Sequence, residues 1–149
     1  MAKKQFAVIG LGRFGQSVAT TLSSLGHDVL AIDMAENLVQ AIADEVTSAV
    51  QMDARDELAL KSLGIRNFDV VIVAISSDIE ASILITVLLK EMGVKKVIAK
   101  AQNPLHGKIL QKVGADKIVF PEKDMGMRLA HNLVSPNLLD SIILHPDYS

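Results

Sequence analysis

Six unbroken apolar runs, FAVI, DVLAI, SAVQM, VVIVAI, KVIAKA and KIVF, punctuate this chain, and a segment of helical length and pattern follows each one. Runs without in-and-out alternation suit strands covered on both faces, and their regular exchange with helices implies parallel βαβ units. A second signal repeats four times between them: Leu22-Ser-Ser-Leu25-Gly26, Leu60-Lys-Ser-Leu63-Gly64, Leu89-Lys-Glu-Met92-Gly93 and Leu110-Gln-Lys-Val113-Gly114. In each, two apolar residues three apart end a helix, and the glycine takes the left-handed position just past it. The pattern predicts six strands and six helices in an α/β fold with a doubly wound, six-stranded parallel sheet. Right-handed crossovers then place ligand-binding groups beyond the carboxyl ends of the strands.

Composition narrows the classes. With 149 residues, half of them apolar, the chain can bury a full core as one domain, which the pattern places at 4–134. A net charge of -2, from 15 basic and 17 acidic residues in mixed order, argues against nucleic acid as a partner and against a membrane-adhering face. The absence of cysteine excludes disulfides, thiolate metal sites and cysteine nucleophiles. The opening MAKKQFAVIGLG is broken by glycine far short of a signal segment, and no run reaches the ~20 apolar residues of a bilayer span. A cytoplasmic protein without direct membrane insertion is expected. The tail 135–149, SPNLLDSIILHPDYS, passes a helix stop at Ser135-Pro136 into a second apolar patch, LLDSIIL. It reads either as a terminal element packed on its own domain or as a crossover segment that links to a further lobe or meets another protomer.

The chemistry gathers at the predicted strand ends. Residues 8–15 read VIGLGRFG, with Gly10, Gly12 and Gly15 spaced G-x-G-x-x-G between the first strand and the first helix. In a Rossmann-like turn these glycines allow a tight reversal, close approach of backbone amides to a phosphate, and packing of helix on sheet. Asp33 ends the second strand, where a carboxylate accepts hydrogen bonds from ribose hydroxyls and repels a 2′-phosphate; its alternative role is to cap the helix starting near Glu36. Asp53, after the third strand, is either an acceptor for an adenine amino group or an N-cap. Ala74-Ile75-Ser76-Ser77 supply small residues that let a ligand lie close to backbone. Lys100, Gln102 and His106 converge near the positive end of a helix opened by Asn103-Pro104, with a solvated lysine and a surface histidine as the alternative. Glu122 holds a metal ion on phosphates, contacts a neighbouring subunit, or is an ordinary first-turn glutamate. Arg13 suits two or three phosphates better than a dinucleotide's pyrophosphate, which backbone amides usually satisfy. The residues alone leave ATP, ADP and NAD open.

No catalytic set is visible. The only tyrosine is Tyr148 in the tail, no Tyr-x-x-x-Lys pair occurs, and His27, His131 and His145 do not join His106. There is no G-x-x-x-x-G-K-[ST] phosphate loop. The chain therefore reads as a receptor rather than an enzyme. The competing reading is an NAD(H)-binding redox sensor or a dehydrogenase fragment whose catalytic domain lies elsewhere.

The stretches FAVIGLGRFG, LGIRNFDVVIVAI, ILITVLLKE, KAQN, LQKVGAD and PEKDMG together resemble the RCK domain, also called the TrkA N-terminal domain, and in particular the regulatory subunits of Ktr-type potassium uptake systems. The likeness runs from about Lys4 to Ser149. It implies a non-enzymatic, cytosolic regulatory subunit that binds ATP or ADP, with magnesium or another cation as a companion, and gates a membrane-embedded potassium transporter. It also implies dimers assembled into an octameric ring, with LLDSIIL as interface. The nucleotide contacts it implies are Gly10, Gly12, Arg13, Phe14 and Gly15, then Asp33, Met34 and Ala35, then Asp53 and Ala54. Ile75, Ser76 and Ser77 follow, and Lys100, Ala101, Gln102, His106 and Glu122 complete the set. Arg13 and Glu122 correspond to the family's phosphate sensors. Met52 stands where the family often has glycine, and the C-terminal lobe of full-length members, with any second effector site, lies beyond this chain.

Overall fold

The computed structural model describes residues 2–135. Of the tail segment 135–149, all but Ser135 lies outside the described residues, and so does LLDSIIL. Among the described residues six parallel strands alternate with six α-helices. They are β1 (Gln5–Ile9), α1 (Arg13–Ser24), β2 (Asp28–Asp33), α2 (Glu36–Ile42), β3 (Ser48–Gln51) and α3 (Glu57–Ser62). β4 (Val70–Val73), α4 (Ile79–Glu91), β5 (Val97–Lys100), α5 (Pro104–Lys112), β6 (Lys117–Val119) and α6 (Pro121–Val134) complete the series. Two short 3₁₀ turns, Ala43–Glu45 and Ile65–Asn67, precede β3 and β4 and have no counterpart in the helix-strand pattern of the sequence.

The strand order is β3-β2-β1-β4-β5-β6, so the predicted doubly wound, Rossmann-like sheet is present. The winding reverses between β1 and β4, whose last residues, Ile9 and Val73, are partners in register. The backbones that leave the sheet at Gly10 and Ala74 therefore flank the crevice where ligands bind in such folds. The runs of β1, β2, β4 and β5 are largely buried as expected, whereas β3 and β6 at the sheet edges bury no residue fully. Ala7, Val8, Ala31, Ile32, Val71 and Val73 are fully covered, and one core cluster joins Val8, Leu11, Ala19, Val29, Val39 and Ile72. Each large side chain so buried contributes on the order of 1.5–3 kcal/mol. α4 carries apolar residues around most of its circumference and buries Ala81, Ile85, Leu88 and Leu89.

Helix ends follow their local chemistry. Asp56, Asp78 and Asn103 cap α3, α4 and α5 through side-chain oxygens that accept the amides of Ala59, Ala81 and His106. The four glycines expected to close helices all stand at positive φ. α1 begins at Gly12 with no side-chain cap and no acid in its first turn.

The chain divides into a compact unit ending at Val119 and a second beginning at Phe120. In the second unit, α6 buries none of its own residues and leaves Met125, Leu129 and Leu133 exposed.

Two glycines of the turn are required by the packing itself. At Gly10, with φ +100, a Cβ would lie 2.8 Å from the Ala74 carbonyl carbon, and at Gly15 it would overlap the Gly10 carbonyl oxygen. Gly15→Ala is expected to destabilise the protein by about 2–3 kcal/mol, the cost of overpacking a site whose neighbour is backbone. A urea midpoint equal to that of the unmodified chain would contradict this packing.

Candidate functional site

The turn after β1 is held by β2. Gly10 N donates to Ile32 O at 2.8 Å and Leu11 N donates to Asp33 Oδ2 at 2.7 Å, while Ala35 N donates to Asp33 Oδ1 at 2.8 Å. Asp33 thus clasps two backbone turns and does not cap α2, whose N-cap is Ala35 without a side-chain bond. Each carboxylate oxygen keeps a second lone pair for another donor. Gln16 Nε2 donates to Leu11 O at 3.0 Å from inside α1, closing the turn from the other side.

Gly12 differs from its two companions. A Cβ there would meet only Ser76 Oγ, at an ordinary 3.5 Å, and its φ of -69 suits any residue. Lys100 Nζ donates to that same Ser76 hydroxyl at 3.1 Å and lies 5.8 Å from the centre of the Phe14 ring. The start of α1 and the ends of β4 and β5 therefore meet around the Gly12 backbone. Arg13, exposed, opens the helix beside it. An uncapped helix N-terminus with two basic side chains close to it is an anion-binding arrangement.

A cavity of about 260 Å³ adjoins this turn on the β2–β3 side. Its wall includes Gly10, Met34, Met52, Asp53, Ala54, Ile75 and Ser77, which brings together most of the residues expected beyond β2, β3 and β4. Asp53 is not a helix cap, since Asp56 performs that task for α3. Instead its carboxylate pairs with Arg55, whose Nη2 lies 2.8 Å from Oδ2. Hydrogen bonds from that guanidinium hold the Asp53 carboxyl below the usual carboxylate range. The sequence reading overlooked Arg55 and Asp78, both in the cavity wall. The only signal for Arg55 was a positive charge two residues past an aspartate in a turn.

The other four expected contacts have surroundings of their own. His106 does not face the crevice: it is 2% exposed, with Gln102 N donating to Nδ1 at 3.0 Å and Ser82 Oγ 2.7 Å from Nε2. An amide can only donate, so Nδ1 accepts and Nε2 carries the proton, which it gives to Ser82 Oγ. The serine in turn donates to Ile79 O at 2.8 Å. Ala101 is buried, and its amide donates to Val119 O at 2.9 Å as part of the sheet. Gln102 is exposed and is tied through its backbone to His106. Glu122 is exposed in the first turn of α6, in the second unit. Among the described residues no group of three His, Asp or Glu side chains could hold a metal ion, and no helix is long and apolar enough to cross a membrane.

The family model of the TrkA-N domain matches residues 6–121. Ktr system potassium uptake protein C of Bacillus subtilis (strain 168) is 54% identical over 147 residues, covering 99% of this chain and 66% of that protein. Ktr system potassium uptake protein A of the same organism is 53% identical over 146 residues, covering 98% and 66%. The chain thus spans slightly less than two thirds of the length of these relatives. Among solved structures, the TrkA-N domain of inner membrane protein ybaL from Escherichia coli superposes with a TM-score of 0.78 at 16% identity, over 89% of this chain and 98% of that one. The GsuK channel bound to NAD and GsuK bound to ADP each give 0.69 at 16% identity over 79% of this chain, and 21% and 31% of theirs. At such identities the solved structures establish the fold alone.

Burial pushes the His106 imidazole below its ordinary pKa of 6.5. The unfolded chain therefore binds more protons than the folded one below about pH 6.5, and stability falls as pH falls through that window. Thermal denaturation at about pH 7.5 and 5.5 should show this loss in the unmodified chain and a smaller one in His106→Gln. An equal loss in both would contradict a buried neutral imidazole.

Proposed function

This chain belongs to the TrkA-N domain family, and from that premise we propose that it is the nucleotide-sensing part of a cytoplasmic regulatory subunit that gates a membrane potassium transporter. The relatives that share about half its residues are potassium uptake proteins, which supports the transporter as the partner. The contrast among the three glycines carries the nucleotide reading. Gly10 and Gly15 are forced by backbone that a side chain would strike, whereas the fold leaves space at Gly12. A residue kept bare where its own protein does not crowd it suits close approach by a ligand, and the uncapped first turn of α1 suits a phosphate.

The remaining residues take their parts around that point. Arg13 and Lys100 supply positive charge to the phosphates, Asp33 accepts from ribose hydroxyls with its free lone pairs, and the apolar cavity walled by Met34, Met52, Ala54 and Ile75 receives the base. ATP and ADP differ only at the terminal phosphate. Arg13 is the group assigned to tell them apart, and Glu122 is assigned to the same phosphate from a neighbouring subunit or through a cation such as magnesium. A ligand biases a two-state assembly only through such a differential contact, ordinarily ~1–3 kcal/mol per site. Dimers joined in an octameric ring would add several such contributions. No residue is assigned a catalytic step.

NAD(H) is the second reading, and the NAD-bound GsuK channel favours it because the same glycine turn and Asp33 serve any adenosine nucleotide. Calorimetric binding of ATP, ADP, NADH and NAD, with and without magnesium, separates the two. Arg13→Ala is expected to weaken ATP about 5–150-fold and to leave ADP nearly unchanged. Gly12→Ala should melt as the unmodified chain does yet lose about tenfold or more in nucleotide affinity. A clear preference for NADH, or an ATP affinity indifferent to Arg13, would overturn the phosphate-counting gate.

A further inference from the structure

Gln16, half-buried in the second turn of α1, binds the glycine turn twice. Its backbone N–H donates to Gly12 O at 2.9 Å, the first bond of the helix, and its side-chain Nε2 donates to Leu11 O at 3.0 Å. A carbonyl oxygen only accepts, so the side chain must present its nitrogen and not Oε1 to Leu11. Two consecutive carbonyls, of Leu11 and Gly12, are thereby turned toward Gln16. The peptides on either side of Gly12 are trans, and in a planar trans peptide the N–H points opposite to the C=O. The amides of Gly12 and Arg13 therefore face away from Gln16, and among the described residues neither finds an acceptor. We propose that Gln16 is a positioning residue for nucleotide binding: by holding the Leu11 carbonyl it keeps the Gly12 N–H aimed at the phosphates.

The proposal rests on the nucleotide reading and concerns its phosphate end. A latch is needed there because residue 12 is bare. With no Cβ to hinder it, the Leu11–Gly12 peptide can rotate easily, and a rotated peptide would offer phosphate a carbonyl oxygen in place of an amide. The turn itself has other anchors, since Gly10 N bonded to Ile32 O and Leu11 N bonded to Asp33 Oδ2 tie it to β2 without Gln16. Loss of Nε2 thus leaves the turn in place and frees one peptide within it.

Affinities for ATP and for adenosine, which carries no phosphate, are to be measured by NMR titration of the isotope-labelled chain, unmodified and as Gln16→Met and Gln16→Lys. Methionine keeps length and bulk without a donor, and lysine keeps a donor at similar reach. Gln16→Met is expected to weaken ATP by about fivefold or more, as fits one misdirected donor to a charged acceptor, and to leave adenosine within about twofold. Gln16→Lys should bind ATP at least as well as the unmodified chain. The Gly12 amide proton should move downfield on ATP addition in the unmodified chain, a measurement that needs no variant. An ATP affinity unchanged in Gln16→Met, an equal loss for both ligands, a loss in Gln16→Lys as large as in Gln16→Met, or a Gly12 signal indifferent to ATP overturns the positioning role and leaves the nucleotide site standing. Failure of the unmodified chain to bind ATP overturns the nucleotide reading and the positioning role with it.

Discussion

The Asp33 carboxylate accepts the Leu11 amide on one oxygen and the Ala35 amide on the other, and so ties the turn after β1 to the end of β2. Hydrogen bonds to a charged acceptor contribute roughly 1.5–3 kcal/mol each, more than a neutral pair. With Gly10 N bonded to Ile32 O, and Gly10 pressed on the Ala74 backbone, the turn is pinned from both neighbouring strands. That pinning fixes where α1 begins and which way its first amides face. The anion-binding end, the cavity beside it and the approach of Lys100 all inherit their positions from this one clasp.

The buried polar groups obey a matching economy. Ser82, Thr86 and His106 are covered, and each finds its partner in a short chain of bonds: His106 to Ser82, Ser82 to Ile79 O, and Thr86 to Ser82 O. Among the described residues no buried side-chain nitrogen or oxygen lacks a partner. The imidazole so held also accepts the Gln102 amide, and it thereby steadies the loop that follows β5.

The fold was legible because its signals are local and repeated: unbroken apolar runs, and glycines that end helices at positive φ. The candidate site was legible where a strand end dictates the position of a residue, as at Gly10, Asp33 and Ser76. It was not legible where the outcome depends on which of two polar neighbours captures a group. Asp53 and Asp56 both had the chemistry of a cap, and the three-residue offset from the first helical amides decided for Asp56. Spacing could not show that His106 would turn inward, because that depended on Ser82, 24 residues earlier, reaching it from α4. Arg55 escaped notice for a similar reason: a charge in a turn is ordinarily solvated, and only the fold showed it gripping Asp53.

The sheet terminates in β3 and β6, of four and three residues. Ser48 and Gln51 of β3 and Lys117 of β6 are exposed. Strands this brief, with polar or charged residues at their ends, make poor templates for pairing with a strand from another molecule. The sheet is thereby protected from growing by strand addition and from the fibrous assembly that such growth invites. Helix faces and loops are left as the surfaces through which copies can associate, and those surfaces can shift against each other without unzipping a hydrogen-bonded ladder.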